Sequence, residues 1–197
     1  MSQPIRLAVL GAGATGRAHA TGAVEAGGFK LVAAADLIPD RLKALADQFK
    51  IAVIVPDAEK LVTDPTVDAI CICLPTHLHA PITTAALKAG KHVLIDLPPA
   101  PTVKDAKQIA KAAEKARKTV LYSAVRRFGA AEQSARQAIE KGYAGSIYQA
   151  RATWLRTRGV PRGTGWYTTP EQSGGGALID LGASLIDLLM HLMSPQK

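Results

Sequence analysis

Short apolar runs separated by polar, helix-compatible stretches set the rhythm of the first 123 residues. Ile5, Leu7 and Val9 alternate, with Leu10 behind them, and the run ends directly in Gly11-Ala12-Gly13-Ala14-Thr15-Gly16. Residues 14–26 then read as a helix closed by Gly27-Gly28, and residues 30–35 as a second strand. Residues 39–49 predict a helix, with Pro39 suited to its first turn and Arg41, Lys43, Asp47 and Gln48 on a polar face. A short strand at 52–55 and a brief helix at 57–62 follow. Asp68–Leu74 (DAICICL) is continuously apolar, the pattern of a strand buried on both faces. A helix at 78–89 stops at Gly90; a strand at 92–95, a helix at 103–117 and a strand at 120–123 complete the series. Strands alternating with helices at this spacing predict an α/β domain with a parallel, doubly wound sheet.

The pattern changes after residue 123. A helix at 131–141 ends at Gly142, residues 146–156 alternate like a long strand, and a loop rich in Gly, Pro and Arg follows. Gly174-Gly175-Gly176 then opens an apolar helix at 177–193. The expected organisation is therefore a complete domain over 1–123 and a partial α+β C-terminal domain over 124–197.

Charge and composition narrow the function only in part. The formal charge of +8 suits an anionic partner, but its densest run, Lys104, Lys107, Lys111, Lys115 and Lys118, has helical spacing and reads as a solvated face. Aromatic residues make up 5% and are not interleaved with that run, which argues against a nucleic-acid stacking platform. Cys71 and Cys73 sit at i and i+2 of one strand and read as small core residues rather than a disulfide or a zinc site. The start lacks a basic segment and a long apolar core, so no signal peptide is expected. No stretch is read as long and apolar enough to span a bilayer. The expectation is a cytoplasmic protein with neither membrane nor nucleic acid as partner.

The chemistry concentrates at residues 11–16. A strand running into G-x-G-x-x-G and opening a helix is the dinucleotide-binding fingerprint of the Rossmann fold in its proper context. Gly11 permits the tight turn, Gly13 has no Cβ to block a pyrophosphate, and Gly16 lets the helix lie close on the sheet. Ala14 and Thr15 share the loop, where free N–H groups and the helix dipole face the phosphates. Asp36 ends the second strand about 20 residues beyond Gly16, where the ribose-binding acid is expected. It would repel a 2′-phosphate, and Leu37 and Ile38 follow it rather than an arginine, so NAD is favoured over NADP. A metal pair at His77 and His79 is not expected, because no third ligand stands at ligating spacing.

Several motifs in order, GAGATG at 11–16, PTHLHA at 75–80, AGKHVLIDLPPAPT at 89–102, VRRF at 125–128 and SGGGALIDLGASLIDLL at 173–189, resemble the Gfo/Idh/MocA family of oxidoreductases. The resemblance implies an N-terminal Rossmann domain that binds NAD or NADP and a C-terminal α/β domain whose open sheet often builds the oligomer interface. It implies oxidation or reduction of a hydroxyl or carbonyl carbon on sugars and cyclitols. By the same resemblance Leu74, Pro75, Thr76 and His79 line the nicotinamide side of the cleft, Asp96 and Pro98 touch the nicotinamide ribose, and Arg127 lies near the cofactor. Family members are longer, and the resemblance implies that most of the C-terminal sheet is lacking here.

Two departures stand out. The family's E-K-P motif reads Asp96-Leu97-Pro98, so its proton-assisting lysine is Leu97, which has no proton to give. The family's catalytic histidine falls on Ser184, leaving Asp180 as the survivor of the usual set. Asp180, His79 or Tyr167 would then carry the proton. Two readings stay open: an NAD-dependent oxidoreductase, and a dinucleotide-binding sensor or assembly protein without turnover. A glycosidase that uses bound NAD is a thinner third. The apolar helix at 177–193 and the strand at 146–156 predict a homo-oligomer in which another subunit covers both.

Overall fold

Six strands, β1 (Ile5–Leu10), β2 (Phe29–Ala35), β3 (Val53–Val55), β4 (Ala69–Ile72), β5 (His92–Ile95) and β6 (Val120–Tyr122), form one parallel sheet in the order β3-β2-β1-β4-β5-β6. Chain direction across the sheet reverses between β1 and β4, the switch point outside which open α/β sheets bind ligands. Five helices connect the strands: α1 (Ala14–Ala26), α2 (Pro39–Phe49), α3 (Glu59–Val62), α4 (Thr76–Lys88) and α5 (Val103–Ala116). The computed structural model describes residues 3–157 and 165–193, and the chain divides into one unit at Met1–Tyr122 and a second at Ser123–Lys197.

Strand alternation splits the first unit's core into two layers. Ala8, Leu10, Ile70, Ile72, Val93 and Ile95 face Leu61, Ala86, Leu87 and Ile109 from α3, α4 and α5. Leu7, Val9, Leu31, Ala34 and Cys71 face Ala20, Leu42, Leu45 and Ala46 from α1 and α2. The crossover rule produces this division, because stepping outward from β1 in opposite directions puts the right-handed connections on opposite faces. Among the described residues of the first unit none covers the α1 face beyond β4, and a groove of about 1000 Å³ runs along it. His19 and Ala23 of α1 and Ala69, Cys71, Leu94 and Leu121 of the sheet line this groove. Ile109 is the buried residue of α5, while Lys104, Lys107, Lys111 and Lys115 are exposed, as a solvated face requires.

Polar groups tie the opposite, amino end of the sheet. Arg6 in β1 donates through Nε and Nη2 to the Asp68 carboxylate at 2.9 and 2.7 Å and holds that carboxyl well below its usual range. Lys91 is buried, and its Nζ donates to the carbonyls of Asp64 and Val67 at 2.7 and 2.6 Å. The ammonium thus satisfies a loop whose carbonyls have little water around them.

The second unit contains a 3₁₀ turn at Val125–Phe128, α6 (Ala130–Glu140), α7 (Pro170–Ser173), a π-helical turn at Leu178–Gly182 and α8 (Ala183–Met193). Arg136 of α6, 6% exposed, donates to the carbonyls of His191 and Leu192 at the end of α8 and pairs with Glu140 at 2.7 Å. A cation there satisfies carbonyls left open by the helix end.

Two sequence expectations are corrected. Residues 146–156 form no strand: a strand needs a neighbouring backbone to take its N–H and C=O groups, and none among the described residues pairs with this segment. Trp154 instead lies under the guanidinium groups of Arg126 and Arg156, 4.0 and 4.5 Å from its ring centre. The helical run Pro170–Met193, at 24 residues, is also long and apolar enough to cross a membrane by length and composition, contrary to the reading that no such stretch exists. Within that span Gly174-Gly175-Gly176 are non-helical, and the helix that follows them, π turn included, matches the predicted 177–193.

Replacing Lys91 by Met should leave the Asp64 and Val67 carbonyls without their donor and cost about 2 kcal/mol. Urea unfolding of wild-type and variant protein, with unchanged m-value, checks this.

Candidate functional site

The carboxyl ends of β1, β2, β4 and β5 carry the loops that matter. The first follows β1. Gly11 has φ +96°, and a Cβ there would lie 2.2 Å from the Cys73 carbonyl oxygen. A Cβ on Gly16 would lie 1.8 Å from the Gly11 carbonyl oxygen. Both glycines are therefore demanded by the fold itself. Gly13 is not. Its backbone is extended (φ −71°, ψ −167°), and a Cβ there would meet nothing within 4 Å. Ala14 and Thr15 beside it are exposed, and α1 begins with no side chain capping its first turn.

Asp36, at the end of β2, faces this loop. Its Oδ2 accepts from the Ala12 N–H at 2.7 Å and its Oδ1 from the Ile38 N–H at 2.8 Å. The acid thus sits against the glycine loop and braces its first turn. Each oxygen retains a lone pair for a further donor.

The loops after β4 and β5 are locked together by His79. This imidazole is 2% exposed, with Nδ1 2.8 Å from the Pro98 carbonyl and Nε2 2.7 Å from the Leu74 carbonyl. Burial pushes its pKa down, opposed by the two carbonyls. A neutral ring donates to only one of them. Each nitrogen faces a backbone carbonyl rather than open space, so His79 sits between the Leu74-Pro75-Thr76 and Asp96-Leu97-Pro98 loops, hydrogen-bonded to one of them when neutral, and is poorly placed to carry a proton to a ligand. Thr76 is buried at the start of α4, and the Leu97–Pro98 peptide is cis.

Asp96 accepts from His19 of α1 at 3.0 Å, and this carboxylate raises the imidazole's pKa against the opposing effect of burial. His19 was not singled out from the sequence, although it lies three residues after Gly16, on the face that turns toward the sheet. Cys71 and Cys73 are both reduced, with their sulfurs 3.6 Å apart. The contact with Cys71, together with burial, pushes the Cys73 thiol up. A ring nitrogen of His19 and both sulfurs lie within 4.8 Å of one another.

The remaining predicted residues belong to the second unit. Arg127, which the resemblance placed near the cofactor, donates through Nε and Nη2 to Asp187 at 2.8 and 2.5 Å. Asp180 is half-buried in the π-helical turn, and Tyr167 stacks on Trp166 with ring centres 3.6 Å apart.

Residues 5–124 match the family described as "Oxidoreductase family, NAD-binding Rossmann fold", and residues 133–197 match the "GFO/IDH/MocA C-terminal domain". The chain belongs to the Gfo/Idh/MocA family. This Gfo/Idh/MocA chain is 34% identical to the D-glucoside 3-dehydrogenase of Escherichia coli (strain K12), over 98% of its own length and 55% of that protein. It superposes on an oxidoreductase domain protein from Kribbella flavida with a TM-score of 0.86 and 27% identity, covering 98% of this chain and 53% of that one. It superposes equally, at TM-score 0.86 and 26% identity, on the WlbA dehydrogenase of Chromobacterium violaceum in complex with NADH and UDP-GlcNAcA, covering 99% and 57% of the two chains. The chain spans just over half the length of the curated relatives it matches, 55% of the D-glucoside 3-dehydrogenase and 56% of a 1,5-anhydro-D-fructose reductase of Ensifer adhaerens.

The depressed His79 pKa makes a pH prediction with a definite sign. Between the folded value and about 6.5 the unfolded chain binds more protons, so stability is complete above that window and falls as pH drops through it. His79→Gln, which cannot titrate, should be less stable at pH 7.5 yet lose less on acidification to pH 5. Denaturant midpoints at the two pH values check this.

Proposed function

We propose that this chain binds NAD at the β1–α1 loop and that its chemistry is that of an oxidoreductase acting on a sugar, cyclitol or similar hydroxyl or carbonyl compound. One observation carries the binding reading. Neither packing nor backbone conformation requires glycine at position 13, yet glycine stands there between two that the fold does require. A cradle that only an added Cβ would fill, at an uncapped helix start, suits a pyrophosphate. Gly11, Gly13, Ala14, Thr15 and Gly16 would hold the phosphates and Asp36 the adenosine ribose. Leu74, Pro75, Thr76, Asp96 and Pro98 would line the nicotinamide end. The Asp36 carboxylate, with no arginine directly after it, favours NAD over NADP. When bound, the dinucleotide supplies the hydride chemistry. The substrate class rests on the family and on relatives named for sugar chemistry.

The accompanying proton needs a carrier, and Leu97 and Ser184 supply none near neutral pH. Asp180 and Tyr167 are the candidates that remain once His79 is set aside as a brace. The same two positions support the second reading, a dinucleotide-binding protein without turnover. The exposed Leu178, Ile186 and Met190 support self-association through the helix at 177–193, which sedimentation of dilute protein tests.

Titration with NADH and NADPH, following nicotinamide fluorescence, tests the binding reading. Wild-type protein should saturate with NADH and bind NADPH at least tenfold more weakly, about 1.4 kcal/mol. Gly13→Ala should keep the wild-type unfolding midpoint and lose at least tenfold in NADH affinity. Gly16→Ala should instead unfold early, losing about 3 kcal/mol. Absence of binding to either nucleotide would overturn the proposal. A substrate screen on the protein carrying Leu97→Lys and Ser184→His then separates the two readings, since new activity there means a silent site on a working scaffold.

A further inference from the structure

We propose that His19, Cys71 and Cys73 form a zinc site on the α1 face of the sheet. Three observations meet here. The first is convergence. Cys71 and Cys73 are i and i+2 of one strand direction, so their side chains leave on the same face. α1 crosses that face and brings His19 to them, with one ligand atom from each residue within 4.8 Å of the other two.

The second is spacing. Tetrahedral zinc with Zn–S bonds of about 2.3 Å places two thiolate sulfurs about 3.8 Å apart. The two sulfurs stand at 3.6 Å, too far for a disulfide and near the edge of a coordination tetrahedron. The third is access. Cys71 is 1% exposed within the sheet, yet His19 and Cys71 both line the groove left open along β4–β6, so an ion has a route to them.

Donor chemistry selects the metal. Two thiolates and an imidazole favour zinc over magnesium or calcium, which prefer oxygen ligands. Two cysteines and a histidine leave a fourth position for water. Asp96, 3.0 Å from His19 Nε2, is the carboxylate that orients the ring or neutralises the site's charge. Binding is balanced as one Zn²⁺ entering and two thiol protons leaving to solvent, with two Zn–S bonds formed and no change in oxidation state. The site does not rest on the dinucleotide reading, and its test uses no nucleotide.

The experiment is a titration of the reduced full chain with Co²⁺ under argon, followed by Zn²⁺. The chain has two cysteines in all, so any thiolate-to-cobalt band reports this pair. The expected result is a near-ultraviolet charge-transfer band and tetrahedral visible bands saturating at one equivalent. Zn²⁺ should bleach both and protect the two thiols from a disulfide reagent, with about two protons released per zinc. His19→Ala should weaken cobalt binding at least tenfold and shift the visible bands, while His77→Ala should change neither. Absence of the charge-transfer band, or thiols that stay reactive in excess zinc, would overturn the proposal. So would cobalt binding that is indifferent to His19→Ala in a variant with the wild-type unfolding midpoint.

Discussion

The first unit depends on one close approach, the passage of the β1–α1 loop over the end of β4. Gly11 lies where any Cβ would collide with the Cys73 carbonyl, and Gly16 where any Cβ would collide with Gly11. Only with both side chains absent can α1 descend onto the sheet, bury Ala20 and leave its first turn directed at the carboxyl edge. The hydrogen bond from Ala12 to Asp36 fixes the loop from the β2 side. Backbone sterics thus set the geometry, and the anion-binding character of the helix start follows from it.

The same descent of α1 links the glycine loop to the rest of the carboxyl edge. His19 reaches Asp96 after β5, and His79 clamps the loops after β4 and β5 through their carbonyls. Three loops far apart in sequence are held by two imidazoles at low exposure, where hydrogen bonds are worth more than in water. Burial makes the His79 contact sensitive to acid, because a ring that is hard to protonate when folded is easily protonated when unfolded.

Arginine plays the corresponding part in the second unit. Arg127 grips Asp187 through two nitrogens, and Arg136 closes the carbonyl end of α8. These charge-assisted contacts hold a helix that remains apolar and partly uncovered, with Met190 63% and Leu178 73% exposed.

The alternation of apolar runs with helical periods was sufficient to fix the sheet, because each strand buried on two faces must be continuously apolar and each crossover must return right-handed. The glycine fingerprint and Asp36 were legible for the same local reason, a turn and an offset of fixed length. Residues 146–156 read as a strand because alternation is a property of one segment, whereas a strand exists only with a partner, which no local pattern reveals. The motifs around His79 and Arg127 were legible, but the contacts of His79 with Leu74 and Pro98 and of Arg127 with Asp187 run across 5 to 60 residues, beyond any local pattern. His19 beside Cys71 and Cys73 is of the same kind, with no spacing to announce it. What neighbours along the chain determine, the sequence carries by itself; what faces what across the sheet, and hence which titratable groups share a site, was decided only when the helices came down on it.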